Sequence, residues 1–392
     1  MRRATESLLA CVTLFAASFV AFGPSLAKPN SLTGVSYTGS NYYAPAAKFT
    51  HCRRWTWLQA TCYRNPMARE NVPRQLTSDL RFIVRHQQGT FQRVWISIDE
   101  LMVWNRRTGF IRYDGQALAN VDDALRRFAA LGIKVDLVLL QYAKGTGELN
   151  QFHPEALDGR HPAMRADYLR AIERFIIHLS FDPVVASTVA VIDLENEAYY
   201  SLEEYFQQGR RYLGRQTACW NGQQVDSDCV DQTIIHPWLK DLYRVAREAS
   251  NDFLYTVSDT GRLLQTDPGR QKYWVGMYPV DVFDIHMYDD KPALDAARWA
   301  TASDLPKVWF AGEVGCAAGH VICTYDGTRA LGPDRWWMSN LGKYGACAVL
   351  IEDRTTAWTY RDGPHSQYLT PTGREVQRVT RESPDTRCGG KL

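Results

Sequence analysis

Two glutamates stand at the ends of apolar runs of strand length. Glu197 ends the run at 189–197, Val-Ala-Val-Ile-Asp-Leu-Glu-Asn-Glu, and Glu313 lies in Lys-Val-Trp-Phe-Ala-Gly-Glu-Val-Gly at 307–315. Carboxylates at the C-terminal ends of two strands can meet at the mouth of a β/α barrel. A facing pair of carboxylates supplies a proton donor and a nucleophile, which is what hydrolysis of a glycosidic bond requires.

The residues next to these glutamates admit more than one interpretation. The amide of Asn196 can hydrogen-bond a substrate hydroxyl while Glu197 protonates a leaving oxygen, although Glu197 could equally be a surface acid in a turn. Glu313, held ionised, could attack an anomeric carbon; the alternative is an acid that satisfies a helix N-terminus.

Two further acids precede Glu197 at spacings of two residues, so that all three would point to the same face of a strand. Asp193 and Glu195 would face the same interior, where an unpaired charge is costly. We therefore expect Arg93, or another base, to neutralise them.

A histidine and a tyrosine close another apolar run, Asp-Ile-His-Met-Tyr-Asp at 284–289. His286 and Tyr288 are two residues apart and so point to the same side of a strand. The tyrosine hydroxyl could donate to Glu313 and stabilise its charged form, and the histidine could orient substrate hydroxyls. A purely structural pair is the alternative.

The elements that would position these residues alternate along the chain. Strand-length runs lie at 33–37, 91–99, 133–140, 189–195, 253–258, 280–287, 308–311 and 346–351. Apolar residues at helical spacing predict helices over 117–131, 165–179 and 238–249. This order predicts an α/β fold, a single (β/α)8 TIM barrel over 28–370. Long loops at 41–71, 144–162 and 201–237 would shape a cleft, disulfides would pin the loops that contain cysteines, and 371–392 would be a polar, irregular tail.

The first residues have the composition of a secretory signal. Arg2 and Arg3 precede an apolar run over 8–22, and small residues end the segment at Ser25-Leu26-Ala27. Residues 1–27 are therefore predicted to be removed on export, which places the mature protein outside the cell or in the periplasm. A lipoprotein cleavage box at Cys11 is disfavoured because the apolar run follows that cysteine. No later segment is apolar enough for a membrane span, so no membrane partner is expected.

The cysteines fit an oxidising compartment. The chain has nine, and those after Cys11 include the close pairs Cys52 and Cys62, Cys219 and Cys229, and Cys316 and Cys323, with Cys347 and Cys388 besides. No Cys-x-x-Cys spacing or histidine cluster accompanies them, which favours disulfides over metal ligation. Proximity in sequence does not fix the connectivity. We predict no metal and no cofactor.

Charge and aromatic content narrow the partners. The formal net charge of +2, from 45 basic and 43 acidic residues, argues against a nucleic-acid partner. The 12 tryptophans and 20 tyrosines favour a surface that stacks on sugar rings. Trp104, Trp274 and Trp358 are candidates for that stacking, and Trp95 is less suited because its parity places it in a strand interior.

Order and spacing together resemble clan A glycoside hydrolases, the group that includes cellulases, β-mannanases and β-xylosidases. In that clan an asparagine and the acid/base glutamate end strand four, the nucleophile ends strand seven, a His-x-Tyr pair lies at strand six and an arginine at strand two. The matching positions here are Asn196 and Glu197, Glu313, His286 and Tyr288, and Arg93. The helix end, Asp-Pro turn and strand over 175–197 also resemble the clan.

The resemblance implies a retaining glycosidase that cleaves a poly- or oligosaccharide. The long loops favour endo action on a β-linked polysaccharide, and a monomer is expected for an exported hydrolase of this size. Glu197 would be the acid/base and Glu313 the nucleophile, Asn196 would bind the 2-hydroxyl, and Tyr288 and Arg93 would keep Glu313 ionised. Trp104 and Trp358 would contact sugar. The chain departs from the clan pattern where Ala198 replaces a common proline, and where Ile-Glu-Asp-Arg at 351–354 replaces a stacking tryptophan. The sugar, and any role of Glu352, stay open.

Other functions remain compatible with the sequence. One is a non-catalytic carbohydrate-binding protein on a degenerate hydrolase barrel. Another is a metal-dependent hydrolase or polysaccharide lyase, which would need converging His and Asp ligands, of which only His286 is well placed. A transglycosylase would differ from the hydrolase only in its acceptor.

Overall fold

The structure is a computed structural model. It describes the following residues, to which all structural statements refer: 32, 38–42, 74, 76–96, 98–105, 109–140, 162–200, 218–220, 222–223, 225–288, 296–315, 336–338, 340–352, 358–360, 367–369 and 371–382. The predicted signal and the expected loops at 43–71 and 144–161 lie outside these residues.

A nine-stranded sheet forms the centre of the fold, and all of its pairings are parallel. Its strands are β1 (Thr38–Tyr42), β2 (Phe91–Trp95), β5 (Lys134–Val138), β6 (Val189–Asp193), β7 (Leu254–Thr256), β8 (Ser258–Asp259), β9 (Phe283–Tyr288), β10 (Trp309–Gly315) and β11 (Ala346–Glu352). The spatial order is β7-β6-β5-β2-β1-β11-β10-β9-β8. Strands such as β6 are buried along their whole length, as expected for a parallel sheet covered on both faces.

The two ends of this order are neighbours in the chain. β7 pairs with β6 at one end, β8 pairs with β9 at the other, and only Val257 separates β7 from β8. The stretch 254–259 therefore forms both ends of this order, and it pairs with β6 through β7 and with β9 through β8. It corresponds to the single strand predicted over 253–258.

Helices connect the strands. They are α1 (Ile98–Leu101), α2 (Gly115–Ala129), α3 (Pro162–Phe181), α4 (Pro183–Thr188), α5 (Ser227–Val230), α6 (His236–Ala249), α7 (Pro268–Met277), α8 (Ala296–Ala300) and α9 (Pro371–Glu382), with π-helical turns at Ile83–Gln87 and Asp231–Ile235 and 3-10 turns at Thr301–Asp304 and Leu341–Tyr344. The predicted helices correspond to α2, α3 and α6. Asp114 caps α2 by accepting from the Ala117 N–H at 2.9 Å.

Two antiparallel hairpins stand apart from the main sheet. One joins β3 (Met102–Asn105) to β4 (Gly109–Tyr113), and the other joins β12 (Trp358–Tyr360) to β13 (Gln367–Leu369). They contain Trp104 and Trp358, whose side chains lie outside the described part of the structure.

The first described strand is Thr38–Tyr42, and the strand expected over 33–37 lies outside the described residues and stays a prediction. Other sequence-based expectations are corrected. The loop expected over 201–237 is helical from Ser227, since Asp226 caps α5 by accepting from the Cys229 N–H and the π-helical turn leads directly into α6. Isolated polar residues at 226–233 concealed these short turns from a periodicity analysis.

The expected irregular tail after residue 370 is also wrong for its first part, because α9 occupies Pro371–Glu382. Pro371 begins the helix, where its missing N–H is no loss. Val376 and Val379 are buried one turn apart, and α9 contacts β1, β13 and the turn Ile83–Gln87. Two valines among many charged residues gave too weak an apolar stripe to be recognised.

One of the close cysteine pairs forms a disulfide. Cys219 and Cys229 are bonded, with their Cα atoms 5.5 Å apart. Cys347 is also disulfide-bonded, to a cysteine beyond the described residues. The pairs Cys52 with Cys62 and Cys316 with Cys323 lie outside them. Over the described stretches, no helix combines the length and apolarity needed to cross a bilayer.

Candidate active site

The parallel register brings the predicted residues to one end of the sheet. Glu313 of β10 is the register partner of His286 of β9, and Gly315 is the partner of Tyr288. Arg93 of β2 is the partner of Asp136 of β5. Residues in register on adjacent parallel strands point to the same face, so these side chains converge.

The two glutamates meet, as the sequence predicts. An oxygen of Glu197, an oxygen of Glu313 and a ring nitrogen of His286 all lie within 4.8 Å of one another. The Glu313 side chain is 5% exposed and that of Glu197 is 16% exposed, so solvent reaches the site mainly beside Glu197. The arrangement provides two carboxylates that can act on one bridging atom.

Arg93 is fully buried and links four other strands. Its Nη1 donates to Asp136 at 2.9 Å and Asp284 at 2.6 Å, and its Nη2 donates to Asp193 at 2.7 Å and Asn196 at 2.7 Å. Nε lies 3.3 Å from Oε1 of Glu313, near enough for charge attraction although not aligned for a hydrogen bond.

Burial opposes the charge on Arg93, but the surrounding aspartates outweigh it and raise the pKa of the guanidinium further. Burial also raises the pKa of Asp136 and of Asp193, against the lowering effect of Arg93. The carboxyl groups around Arg93 outnumber the cations, which favours the protonated form of Asp136 and Asp193.

Glu313 is held by a cation and a donor. The Tyr288 hydroxyl donates to its Oε2, and Arg93 faces its Oε1. Both contacts place a hydrogen-bond donor or a positive charge against the two oxygens of this carboxyl group. The predicted roles of Tyr288 and Arg93 as supports for Glu313 are therefore compatible with their placement.

His286 lies between the two glutamates. Its Nδ1 is 3.0 Å from Glu197 Oε1 and 3.7 Å from Glu313 Oε2, and its Nε2 is 3.5 Å from Asp284 Oδ2. Burial would lower the pKa of the imidazole, but Glu313 and Asp284 outweigh burial and raise the pKa well above its usual value. A protonated His286 can donate to Glu197.

Asn196 and Glu197 follow β6 in a tight turn. The Asn196 Oδ1 accepts from Arg93 and from the Ser258 hydroxyl at 3.2 Å, which fixes the amide orientation because arginine can only donate. Its Nδ2 hydrogens are thereby directed away from Arg93. Glu197 has a backbone φ of 47°, in the left-handed region that non-glycine residues rarely adopt.

Asp193 and Glu195, which were expected to face the same side as Glu197, have different partners. Asp193 is neutralised by Arg93, as expected. The Glu195 Oε2 instead accepts from the Trp238 indole at 3.4 Å, because strict alternation stops after Asp193.

Sequence reasoning missed Asp136, Asp284 and Ser258, all of which are fully buried at this site. Asp284 joins β9 to two other strands, since its Oδ1 accepts from the Gly312 N–H of β10 at 2.7 Å while its Oδ2 accepts from Arg93 of β2. The available signal was a charged residue within an apolar run, as in Val-Asp-Leu at 135–137 and Phe-Asp-Ile at 283–285.

The aromatic candidates differ in exposure. Trp95 is buried and lies 5.1 Å from the Arg93 guanidinium, in agreement with its parity. Trp274 is 4% exposed and packs against Tyr199 and Arg262, so it offers little open face to a sugar. Tyr200, three residues after Glu197, is 52% exposed and was not singled out from the sequence.

The fold is similar to that of solved mannanase structures. No protein-family model and no curated protein sequence matches the chain. Solved structures do match, and the resemblance to clan A glycoside hydrolases is confirmed at the level of the fold.

Three of these structures illustrate the match. An endo-β-1,4-mannanase from Thermotoga petrophila has a TM-score of 0.57 at 14% identity, covering 89% of this chain and 77% of that one. GH5_18 from Streptomyces cattleya has a TM-score of 0.56 at 14% sequence identity, and the match covers 90% of this chain and 81% of that one. A β-1,4-mannanase from the sea hare Aplysia kurodai has a TM-score of 0.55 at 13% sequence identity, and the match covers 92% of this chain and 95% of that one.

Proposed function

We propose that this protein is a glycoside hydrolase that retains anomeric configuration. The observation that carries the proposal is the approach of Glu197 and Glu313, whose oxygens lie within 4.8 Å of each other. Retaining enzymes hold their two carboxyl groups about 5–5.5 Å apart, whereas inverting enzymes leave room for a water. The short separation favours direct attack by one of the two on the sugar.

We assign a role to each glutamate from its contacts and its exposure. Glu313, faced by Arg93 and receiving the Tyr288 hydrogen bond, is the nucleophile that attacks the anomeric carbon. Glu197, the more exposed of the two, gives its proton to the leaving oxygen and then activates the water that releases the glycosyl-enzyme. Asn196 presents its amide to the 2-hydroxyl, and His286 orients Glu197.

The substrate class follows from the likeness and the composition. The mannanases among the similar structures act on β-1,4-linked mannan according to their names, and we propose endo action on a β-linked polysaccharide. Export by residues 1–27 would bring the enzyme to such a substrate. We further propose that the sheet is an eight-stranded barrel, since β7 and β8 together pair with both β6 and β9.

The first prediction tests the pair of glutamates. Glu197→Gln and Glu313→Gln should each lower turnover by roughly a thousandfold or more, because each removes a group that acts in the transition state. Activity would be measured as reducing ends released from β-1,4-mannan, a soluble cellulose derivative and xylan, with chain-length analysis of the products.

The matched control is Glu248→Gln, which removes an exposed acid on α6 that pairs with Arg244 at the surface. It should keep wild-type turnover. Near-normal turnover in either active-site variant on a substrate that the wild type cleaves would refute the assignment. Sugar binding by the wild type without product on any of the three would favour a carbohydrate-binding protein instead.

A metal-dependent hydrolase is the second candidate, because Glu197, His286 and Glu313 offer two carboxylates and an imidazole that could hold an ion. Metal analysis of the purified protein, and assay after dialysis against EDTA, separate the two. The two-glutamate mechanism predicts unchanged turnover after chelation, and a loss that Zn²⁺ or Mn²⁺ restores would support the metal enzyme.

A further inference from the structure

Ser258 lies directly under the turn that carries Glu197. It opens β8, is fully buried and is the register partner of Asp284. The Glu197 N–H donates to the Ser258 Oγ at 2.9 Å, and the Ser258 hydroxyl donates to the Asn196 Oδ1 at 3.2 Å. One hydroxyl thus contacts both residues of the Asn-Glu pair.

Ser258 is itself fixed in place. Its backbone N–H donates to the Asp193 Oδ1 at 3.2 Å, and the Asp193 Oδ2 is bound to Arg93 at 2.7 Å. The interruption of the strand at Val257 separates β7 from β8 and leaves this N–H available to a side chain. The position of the Oγ is therefore set by the same buried ion network that supports Glu313.

The backbone of Glu197 needs such a contact. A φ of 47° lies in the left-handed region, which is strained for a residue other than glycine and persists only when neighbouring groups enforce it. The hydrogen bond from the Glu197 N–H to Ser258 is a direct restraint on that conformation. The conformation in turn places the carboxylate against His286 at 3.0 Å.

We propose that Ser258 is a positioning residue for the proton donor, acting through the backbone of Glu197 and the amide of Asn196. The inference rests on the proposed glycosidase function for its catalytic meaning. Ser258 itself touches neither substrate nor reacting atoms. Its loss should weaken proton donation selectively and leave attack by Glu313 largely intact.

The test uses substrates that differ in their need for a proton. The 2,4-dinitrophenolate group leaves a glycoside without protonation by a general acid, whereas the departure of phenol from a phenyl glycoside depends on that protonation. With the full chain and aryl β-mannobiosides and β-cellobiosides, Ser258→Ala should lower kcat/KM on the phenyl substrate about tenfold or more and on the dinitrophenyl substrate less than about threefold. Equal losses on both, or no loss on either, would overturn the proposal.

Two further variants keep the result interpretable. Thr256→Val removes another buried hydroxyl of the same stretch, one that donates to the Val282 carbonyl at 2.8 Å, and should leave the ratio between the two substrates at its wild-type value. Ser258→Cys fills nearly the same space with a weak acceptor, and it serves if the alanine variant does not fold. It should show the same selective loss.

A crystal structure of Ser258→Ala separates this inference from the proposed function. We expect the Glu197 φ to leave the left-handed region and its carboxylate to move from His286. An unchanged turn would overturn the positioning role even if hydrolysis were confirmed. Failure of the wild type to cleave any aryl glycoside would defeat the proposed function, and the geometry of the variant would still decide the role of Ser258.

Discussion

A single guanidinium joins β2 to β5, β6, β9 and β10. Arg93 reaches Asp136, Asp193 and Asp284 by direct hydrogen bonds and faces Glu313 across 3.3 Å. A buried charge is tolerated only when it is paired, and here one cation faces several acids. The balance is restored by protons, some of which lie on His286, whose pKa is raised.

The raised pKa of His286 makes stability depend on pH. A group whose pKa is higher in the folded than in the unfolded state stabilises fully below the unfolded value, here about 6.5, and the contribution is lost as pH rises through the folded value. The free energy of unfolding of the wild type should therefore fall with pH above about 6.5. In His286→Gln this alkaline decline should be shallower, as measured by urea unfolding between pH values of about 6 and 9.

His236→Gln is the control for that prediction. Burial lowers the pKa of His236, so its titration affects stability only as pH falls below the usual histidine range. The alkaline slope of this variant should match the wild type. Equal slopes in the wild type and His286→Gln would show that His286 does not carry a proton in the folded protein.

Among the strands, β10 shows how an irregularity aims a catalytic residue. Phe310 pairs with Asp284 and Glu313 pairs with His286, so β10 takes three steps where β9 takes two. The extra residue is a β-bulge, and such bulges commonly redirect a side chain next to an active site. The Gly312 N–H donates to the Asp284 carboxylate within it.

Gly312 should tolerate no side chain. A Cβ there would lie 2.0 Å from the Asp284 Oδ1, and the carboxylate cannot easily move away because Arg93 holds its Oδ2 at 2.6 Å. Gly312→Ala should lower the free energy of unfolding by roughly 3 kcal/mol or more and abolish activity, since relief requires breaking a buried ion pair. Denaturant unfolding and the glycosidase assay check both effects.

Gly276→Ala provides the opposite case. Gly276 lies in α7, and no atom lies within 4 Å of the place that an added Cβ would occupy. Alanine should therefore stabilise the protein by about 0.5–1 kcal/mol with unchanged turnover. A well-folded, active Gly312→Ala protein would contradict the proposed role of the bulge.

On the scale of the whole molecule, the last described helix completes the packing around the sheet. α9 contacts β1 and the turn Ile83–Gln87, and the Arg381 Nε donates to the Gln88 Oε1 at 3.3 Å. Residues 293 positions apart in the chain are thus joined. Residues 371–382 therefore take part in the fold.

Val376 tests this integration. Its side chain is fully buried, so Val376→Asp should lower the free energy of unfolding by about 3–5 kcal/mol through an unpaired buried charge. Arg374→Ala, on the exposed side of α9, should change it by less than about 0.5 kcal/mol. Thermal unfolding of both would decide, and similar melting temperatures would mean that α9 does not pack as described.

Local signals in the chain were enough for most of the elements and for the identity of the principal residues. The strand runs, the helices α2, α3 and α6, and the convergence of Glu197 with Glu313, His286, Tyr288 and Arg93 follow from apolar periodicity and from acids at strand ends. Short helical turns such as α5 escaped, and so did α9, because each has too few apolar residues to stand out from the polar residues around them.

What only the tertiary structure decided is how the buried polar groups are paired. Asp136, Asp284 and Ser258 carry no distinctive motif in the sequence, and their importance arises from contacts with residues on other strands, up to 191 positions away for Asp284 and Arg93. The bulge at Gly312 and the left-handed turn at Glu197 are likewise set by such contacts. Periodicity fixes which face of a strand is buried, whereas the partner of each buried charge depends on strand order and register, which are long-range properties of the fold.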